Sequence, residues 1–398
     1  MAGAAGGRAE RPAVAAPPPS IIPAPMPRVL LAFEPPDGGV AENVMQLALG
    51  LSDEGWDVEL AGPQEAIVYP RVEAAGLRVH RLPFARGYGE PSRDVRSLRA
   101  LVRLLRGGRF ELVHCHSAKA GVLGRIAAAV ARVPVVYSPH CFPFVGDFGA
   151  PRRIVATKIE QALAPLTDRI LCVSHDEARI ARETHLASKR LAVVHNGSAP
   201  CPADVEPDPA LVALRGDGVV AASVAVLREQ KRIDVLVDAA PEVLARVPEA
   251  RIAIVGDGPL RDELVARAAE RGLADEPRFA FLPFEAPAAR HLRALDVYVL
   301  PSSWEALPIG VLEALACGTP QIATDVGGTS EAVVPETGLL VPPADPSALA
   351  DALVELLRDP DRRAAMARAS VARHEQGFGL RRMVAETAAV YRAAAASR

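Results

Sequence analysis

Cysteine is scarce and scattered. Cys115, Cys141, Cys172, Cys201 and Cys317 form no C-x-x-C pair and no metal-ligand rhythm, which argues against a zinc module or a disulfide-stapled scaffold. They are expected to be reduced core thiols of a cytosolic protein. An excess of one charge is also missing: 45 Lys and Arg stand against 48 Asp and Glu, a formal net charge of -3. A nucleic-acid binder driven by phosphate attraction is therefore disfavoured, and any anionic ligand must be held locally. No apolar run approaches the length needed to span a bilayer. Residues 1–27, rich in Ala, Pro and Gly, lack the compact apolar segment of a signal peptide and are expected to be a disordered tail or the product of a misassigned start.

What the chain does have is length and rhythm. Its 398 residues, half of them hydrophobic, exceed what one core usually supports and point to two domains. From Arg28 onward short apolar runs alternate with amphipathic stretches. RVLLAF (28–33), WDVELA (56–61), LRVHRL (77–82), FELVHC (110–115), PVVYSP (134–139), RILCVS (169–174) and LAVVHN (191–196) predict strands. Helical periodicity lies between most of them, as in Glu42 to Leu51, Val95 to Leu105 and Val122 to Val130. Such alternation predicts a parallel sheet wrapped by helices. A proline-rich stretch over 197–217 breaks the rhythm, and it restarts with VVAASVAVL (219–227), ARIAIVG (250–256), RFAFL (278–282), DVYVL (296–300), PQIATD (320–325) and GLLVP (338–342). The expectation is an α/β protein of two doubly wound domains, 28–200 and 218–375, with a linker at 201–217. A final helix in 376–398 either caps one domain or crosses back to the other.

Open parallel sheets bind ligands outside the carboxyl ends of their strands, so the strand-end loops hold the candidates. Gly38 and Gly39 precede a helix after the first strand, where backbone N–H groups can approach an anion, although a tight turn needs the same residues. Gly256 and Gly258 make a second such turn, only a partial G-x-G. Arg228, Lys231 and Arg232 sit between a strand and a helix. Cations at a helix start oppose its dipole, and a bound diphosphate would reverse that cost. Histidines also mark strand ends: His114, His116, His140 and His195. Most such histidines are structural hydrogen-bonders; His140, ahead of the loop Phe142-Pro143-Phe144, has the best case for facing a cleft, and His114 for pointing into packing. Finally, PSSWEALPIGVLEALACGTP (301–320) places Glu305 before a proline and Glu313 inside an apolar helical pattern, where a carboxylate needs a partner.

The run from Pro301 through Gly328, taken with GDGPLRDEL, VLREQKR, HNG and the Gly38-Gly39 loop, resembles the retaining, GT-B-fold glycosyltransferases of family 4 from Arg28 to about Tyr391. The resemblance implies two Rossmann-like domains facing a central cleft, with the nucleotide-sugar donor mainly on the C-terminal domain and the acceptor mainly on the N-terminal one. It implies that Glu313 binds ribose hydroxyls, that Glu305 and the backbone amides near Leu307 and Pro308 hold the transferred sugar, and that Lys231 neutralises the diphosphate. Gly38 or Gly39 would approach the diphosphate from the other domain, and His140 would contact the sugar or the reaction centre. There is one departure: many members carry Arg five residues before the Lys, where this chain has Val226, with Arg228 as a substitute phosphate contact.

Glycosyl transfer leaves negative charge on the departing diphosphate, so its electrostatic stabilisation is the main task. The only D-x-D, Asp359-Pro360-Asp361, reads as a turn and helix start, so neither a metal nor another cofactor is expected. The expected partners are a nucleotide-sugar donor, with UDP-sugars ahead of GDP-mannose on resemblance, and a glycan, lipid-linked or small-molecule acceptor. Rival readings are a GT-B sugar-nucleotide 2-epimerase and a silent donor-binding subunit. The stretch RSLRALVRLLRGGR (96–109) raises peripheral contact with the inner face of the cell membrane, against the ordinary reading of a sheet-covering helix with its arginines in water.

Overall fold

The computed structural model describes residues 3, 27–84, 90–186 and 190–396. Apart from Gly3 and Pro27, the expected tail at 1–27 lies outside the described residues. Every predicted strand is present. The first sheet holds β1 (Arg28–Phe33), β2 (Asp57–Gly62), β3 (Arg78–Arg81), β4 (Leu112–His116), β5 (Val135–Ser138), β6 (Arg169–Cys172) and β7 (Leu191–Val193), in the order β3-β2-β1-β4-β5-β6-β7. The second holds β8 (Val219–Val224), β9 (Ala250–Val255), β10 (Phe279–Leu282), β11 (Val297–Leu300), β12 (Gln321–Thr324) and β13 (Gly338–Val341), in the order β10-β9-β8-β11-β12-β13. All pairings named among these strands are parallel, with register such as Leu31 opposite His114 and Tyr298 opposite Gln321.

Central strands such as VLLAF and ARIAIV are apolar on both faces because helices cover both sides of each sheet. One face of the first sheet packs with Leu101, Leu105, Leu123 and Tyr137, the other with Val44, Leu47, Leu51 and Trp56. That second face also receives Met383, Val384, Ala388 and Tyr391. They belong to the last helix, Leu380–Ala395, so the end of the chain crosses back onto the N-terminal domain.

The linker carries a short helix, Pro209–Arg215, that the prolines concealed: Pro209 sits in its first turn, where a missing N–H costs nothing, and Asp208 caps it by accepting from Ala210 and Leu211. Asp359 likewise caps the helix Pro360–Gly377 by accepting from the Arg362 N–H. The thiol expectation needs correction. Cys201 and Cys317 are joined in a disulfide, leaving Cys115, Cys141 and Cys172 free. Cys201 and Cys317 lie 116 residues apart in sequence and meet because the linker folds back over the end of the helix Ile309–Ala316, a contact that spacing rules cannot see. The inference of compartment from reduced thiols loses its basis.

Candidate active site

In both sheets the strand order reverses beside the first strand, between β1 and β4 and between β8 and β11. Ligand crevices of doubly wound sheets open at such points. Gly38 and Gly39 open the helix that follows β1 and His116 ends β4; the connections after β8 and β11 carry Arg228, Lys231 and Glu305. Equivalent positions of the two domains thus hold the candidate residues.

On the C-terminal side, a single 3-10 turn, Glu229–Lys231, aims Lys231 at Glu305, whose Oε1 accepts from Lys231 Nζ at 2.5 Å and from Ser302 Oγ at 2.7 Å. Gln230 joins the two loops by donating to the Trp304 carbonyl at 2.8 Å while its own carbonyl accepts from the Ser303 N–H at 2.9 Å. Glu305 is only 8% exposed, a depth at which a carboxylate requires such partners. Glycine makes these approaches possible. A Cβ on Gly256 would lie 2.0 Å from the Ala225 carbonyl, and one on Gly327 1.7 Å from that of Glu305. Gly256 and Gly258 therefore support the Lys231 loop from below, and Leu227 donates its N–H to the Asp257 carbonyl there.

Glu313 lies in the helix Ile309–Ala316, partly buried and facing the N-terminal domain. Burial pushes its carboxyl up to about 8; the nearby Glu42 charge adds to the rise and Arg71 opposes it. No capping side chain or acidic residue occupies the start of that helix, so its positive end is not offset by its own side chains and suits an anion, although the Val311 N–H already donates to the Pro308 carbonyl at 3.2 Å. Pro308 cannot contribute an amide, contrary to expectation, because proline has no N–H; it serves as the N-cap residue. Leu307 keeps its N–H, and its carbonyl accepts from Asn196 Nδ2 of the other domain at 2.8 Å.

On the N-terminal side, Gly38 has φ +76° and comes within 4.0 Å of Val226, measured from the Cβ it lacks; Gly39 faces Ile309 at 3.6 Å in the same measure. Asp37 just before them accepts from Arg228 Nη2 at 2.5 Å, so Arg228 crosses the cleft. Beneath lie three histidines. His116 Nδ1 and His140 Nε2 share a hydrogen bond of 2.9 Å with their rings stacked, and the rings of His114 and His116 are 3.8 Å apart. His114 is enclosed, bonded to Tyr391 Oη at 2.6 Å and Ser138 Oγ at 2.9 Å. Burial lowers all three, His140 to about 4, so the cluster is neutral near pH 7. His140 and Cys141 are both left-handed, with φ 51° and 87°. The buried carboxylate of Glu177 holds this turn by accepting the N–H of Cys141 and of Val173, each at 2.8 Å. Charges at Glu305 and Lys231 both act on the Cys141 thiol, which places the turn opposite them.

Sequence reasoning missed Asp37, Ser302, Gln230, Glu177 and Glu331; each is a common polar residue whose meaning depends on its partner. Glu331 ties the domains together, accepting from the N–H groups of His175 and Asp176 at 2.9 Å each and bonding His195 Nε2 at 2.7 Å. His175, His195 and Glu331 form the group among the described residues whose spacing would suit a metal ion. Both oxygens of Glu331 are already engaged, and the group reads as a domain tie.

Two facing Rossmann-like domains, a cleft between their switch points and a terminal helix that crosses back define the GT-B fold. Residues 38–197 match the family described as glycosyl transferase 4-like domain and residues 218–359 that of glycosyl transferases group 1; the chain belongs to the group 1 glycosyltransferases. It is 30% identical over 277 residues to UDP-Gal:alpha-D-GlcNAc-diphosphoundecaprenol alpha-1,3-galactosyltransferase of Escherichia coli, covering 67% of this chain and 71% of that protein. It is 30% identical to D-inositol 3-phosphate glycosyltransferase of Kribbella flavida, covering 90% and 91%. Among solved structures, Anabaena Alr3699/HepE in complex with UDP-glucose superposes with a TM-score of 0.77 at 20% identity, over 91% of this chain and 99% of that one.

Proposed function

We propose that the chain transfers a sugar from a nucleoside diphosphate sugar, a UDP-sugar ahead of GDP-mannose, to a hydroxyl of a glycan, lipid-linked or small-molecule acceptor, keeping the anomeric configuration and needing no metal. The observation that carries this reading is the Lys231–Glu305 pair at the C-terminal switch point, set opposite the His140–Cys141 turn. The UDP-Gal in the name of the Escherichia coli relative and the UDP-glucose bound in the superposed structure support the donor class.

In this reading the diphosphate enters over Lys231, Arg228 and the start of the helix Ile309–Ala316, with Gly38 and Gly39 closing from the other side and Gly256 and Gly258 backing the loop. Glu313 takes the ribose hydroxyls; Glu305 and the Leu307 N–H hold the transferred sugar. His140, neutral, orients sugar or acceptor by hydrogen bonding. The bond from the anomeric carbon to the diphosphate oxygen breaks as the acceptor oxygen bonds to that carbon on the same face. The acceptor's proton passes to the departing phosphate oxygen, and Lys231 stabilises the charge that remains.

The test is transfer from a panel of UDP- and GDP-sugars in excess EDTA, with the anomeric proton coupling of the product read by NMR. Release of the nucleoside diphosphate with a product of the donor's anomeric configuration is expected. An inverted product, or activity abolished by EDTA and restored by magnesium or manganese, would overturn the corresponding part. An epimerised sugar nucleotide without transfer would sink the whole reading.

A further inference from the structure

The membrane-facing element suggested by the arginine-rich stretch 96–109 is not the one the structure leaves open. In the helix Pro91–Gly108, Leu101 and Leu105 are buried in the core under the first sheet, with Leu98, Val102 and Leu104 packed against it. Its arginines Arg99, Arg103 and Arg106 are exposed on the side away from that core. The helix Ala150–Leu163 shows the opposite. Ile154 is 60%, Val155 58% and Ile159 38% exposed, and at 100° per residue they share an arc of about 140° on one side. A lone exposed apolar side chain is ordinary, but three on one face of one helix are not.

The same helix is basic. Arg152, Arg153 and Lys158 are exposed, and none of them enters an ion pair among the described residues. The helix's single acidic residue, Glu160, is buried and bound to Arg125. Glu183, the nearest acid in sequence to the helix's neighbour Thr184, is held by Arg179. Beside the helix lies a groove of about 580 Å³ lined by Phe144, Gly146, Arg153, Ile154, Thr157 and Lys158 among others. It joins the mouth of the cleft, because a Cβ on Gly146 would touch Trp304, the residue before Glu305, at 3.1 Å. Arg152 stacks over Phe148 at 3.9 Å on that rim.

We propose that this face docks on an anionic lipid surface. Ile154, Val155 and Ile159 enter the headgroup–acyl boundary, Arg152, Arg153 and Lys158 meet the lipid phosphates, and the groove takes one phosphate-bearing headgroup between Arg153 and Lys158. Apolar insertion and basic charge on one helix are the two forces that hold a peripheral protein on a membrane. Docking here sets the cleft mouth toward the lipid, and it requires neither a donor nor a particular acceptor.

The test is co-sedimentation of the full chain with vesicles of equal parts phosphatidylglycerol and phosphatidylcholine, against phosphatidylcholine alone. Binding to the anionic vesicles only is expected. Replacing Arg152, Arg153 and Lys158 together by Gln should weaken it about 100-fold, because each basic residue at an anionic surface contributes a factor of about five. Replacing Ile154 and Val155 by Ser should weaken it at least about tenfold. The variant with Arg99, Arg103 and Arg106 changed to Gln should bind like the parent, and all variants should keep the parent's melting temperature. No binding by the parent, parent-like binding by both Ala150–Leu163 helix variants, or loss of binding in the Arg99 variant instead would overturn the proposal. So would concentration-dependent self-association that the Ile154 and Val155 changes abolish while vesicle binding stays, because the face would then belong to a second copy.

Discussion

The two walls of the cleft occupy equivalent places in two sheets of the same topology, yet their chemistry differs. The C-terminal wall carries its charge on Arg228, Lys231 and Glu305, at or beside the ends of β8 and β11, with Glu313 behind them held mostly protonated near pH 7 by burial. On the N-terminal wall Asp37 is spent on Arg228, and the floor is neutral, with His114, His116 and His140 all held uncharged by burial. One fold position can therefore serve either a charged leaving group or an uncharged hydroxyl, according to the side chains placed on it. If that division is real, changes on the charged wall should alter donor handling, and changes on the neutral wall should leave the donor alone.

The largest effect belongs to Lys231. Replacement by Met should lower the single-turnover rate about 100- to 1000-fold, the usual consequence of removing a group that stabilises developing charge. Donor dissociation should change less, because the diphosphate's charge peaks in the transition state. Normal turnover by this variant would erase the contrast between the walls.

Glu313→Gln should act on binding, weakening donor affinity about 10- to 150-fold through the loss of charge-assisted bonds to ribose. Because the empty protein holds this carboxyl up to about 8, donor binding by the parent must expel a proton. The parent's affinity should therefore rise with pH until about 8, while that of the Gln variant stays flat. Calorimetric titration in buffers of different ionisation enthalpy reads the proton directly. On the neutral wall, His140→Ala should slow turnover about tenfold, the worth of one hydrogen bond, with donor affinity unchanged. Donor binding that falls with His140 would show that the walls are not separate.

Glu313 also sharpens the contrast through stability. Its carboxyl has its ordinary value near 4.5 in the unfolded chain and about 8 when folded, so between those values the folded protein binds the extra proton. Stability through this group is greatest at or below the unfolded value and falls as pH rises toward about 8. Glu313→Gln should thus be about as stable as the parent in mild acid and more stable by at least about 1 kcal/mol near pH 8, since a tenfold change in proton affinity is worth about 1.4 kcal/mol. Denaturant melts across that range check it; an advantage that shrinks with rising pH would mean that the carboxylate is stabilised in the fold.

Much of this was legible beforehand because it is local. Strand runs such as VLLAF and ARIAIV announce themselves through apolar content, and the spacing of Glu305 and Glu313 survives in a linear reading. Partners across the cleft were not legible. Asp37 and Glu331 look like ordinary surface acids until Arg228 and His195 arrive from the other domain, and Cys201 meets Cys317 only through tertiary folding. The Ile154–Ile159 face was hidden for the converse reason: its apolar residues resemble a core stripe, and only the folded arrangement shows them exposed.

The smallest effect tests the wall at its weakest point, where Val226 stands in place of a basic residue. Arg228 now reaches across to Asp37, so in the empty protein its charge is committed to the opposite domain. The pair is 25% and 30% exposed, and such ion pairs contribute no more than about 1 kcal/mol. Asp37→Asn should therefore barely lower stability. A free guanidinium can then turn to the diphosphate, so donor affinity should rise a few-fold, at most about fivefold for 1 kcal/mol regained. Arg228→Gln should lower it by a comparable factor, and combining the two changes should give the Arg228→Gln value, because Asp37 acts only through Arg228. A double variant that instead shows the sum of two independent effects would mean that Asp37 touches the donor itself. Measured by donor titration of the parent and the three variants, this cycle decides whether Arg228 is a phosphate ligand held in reserve or a tie between the domains.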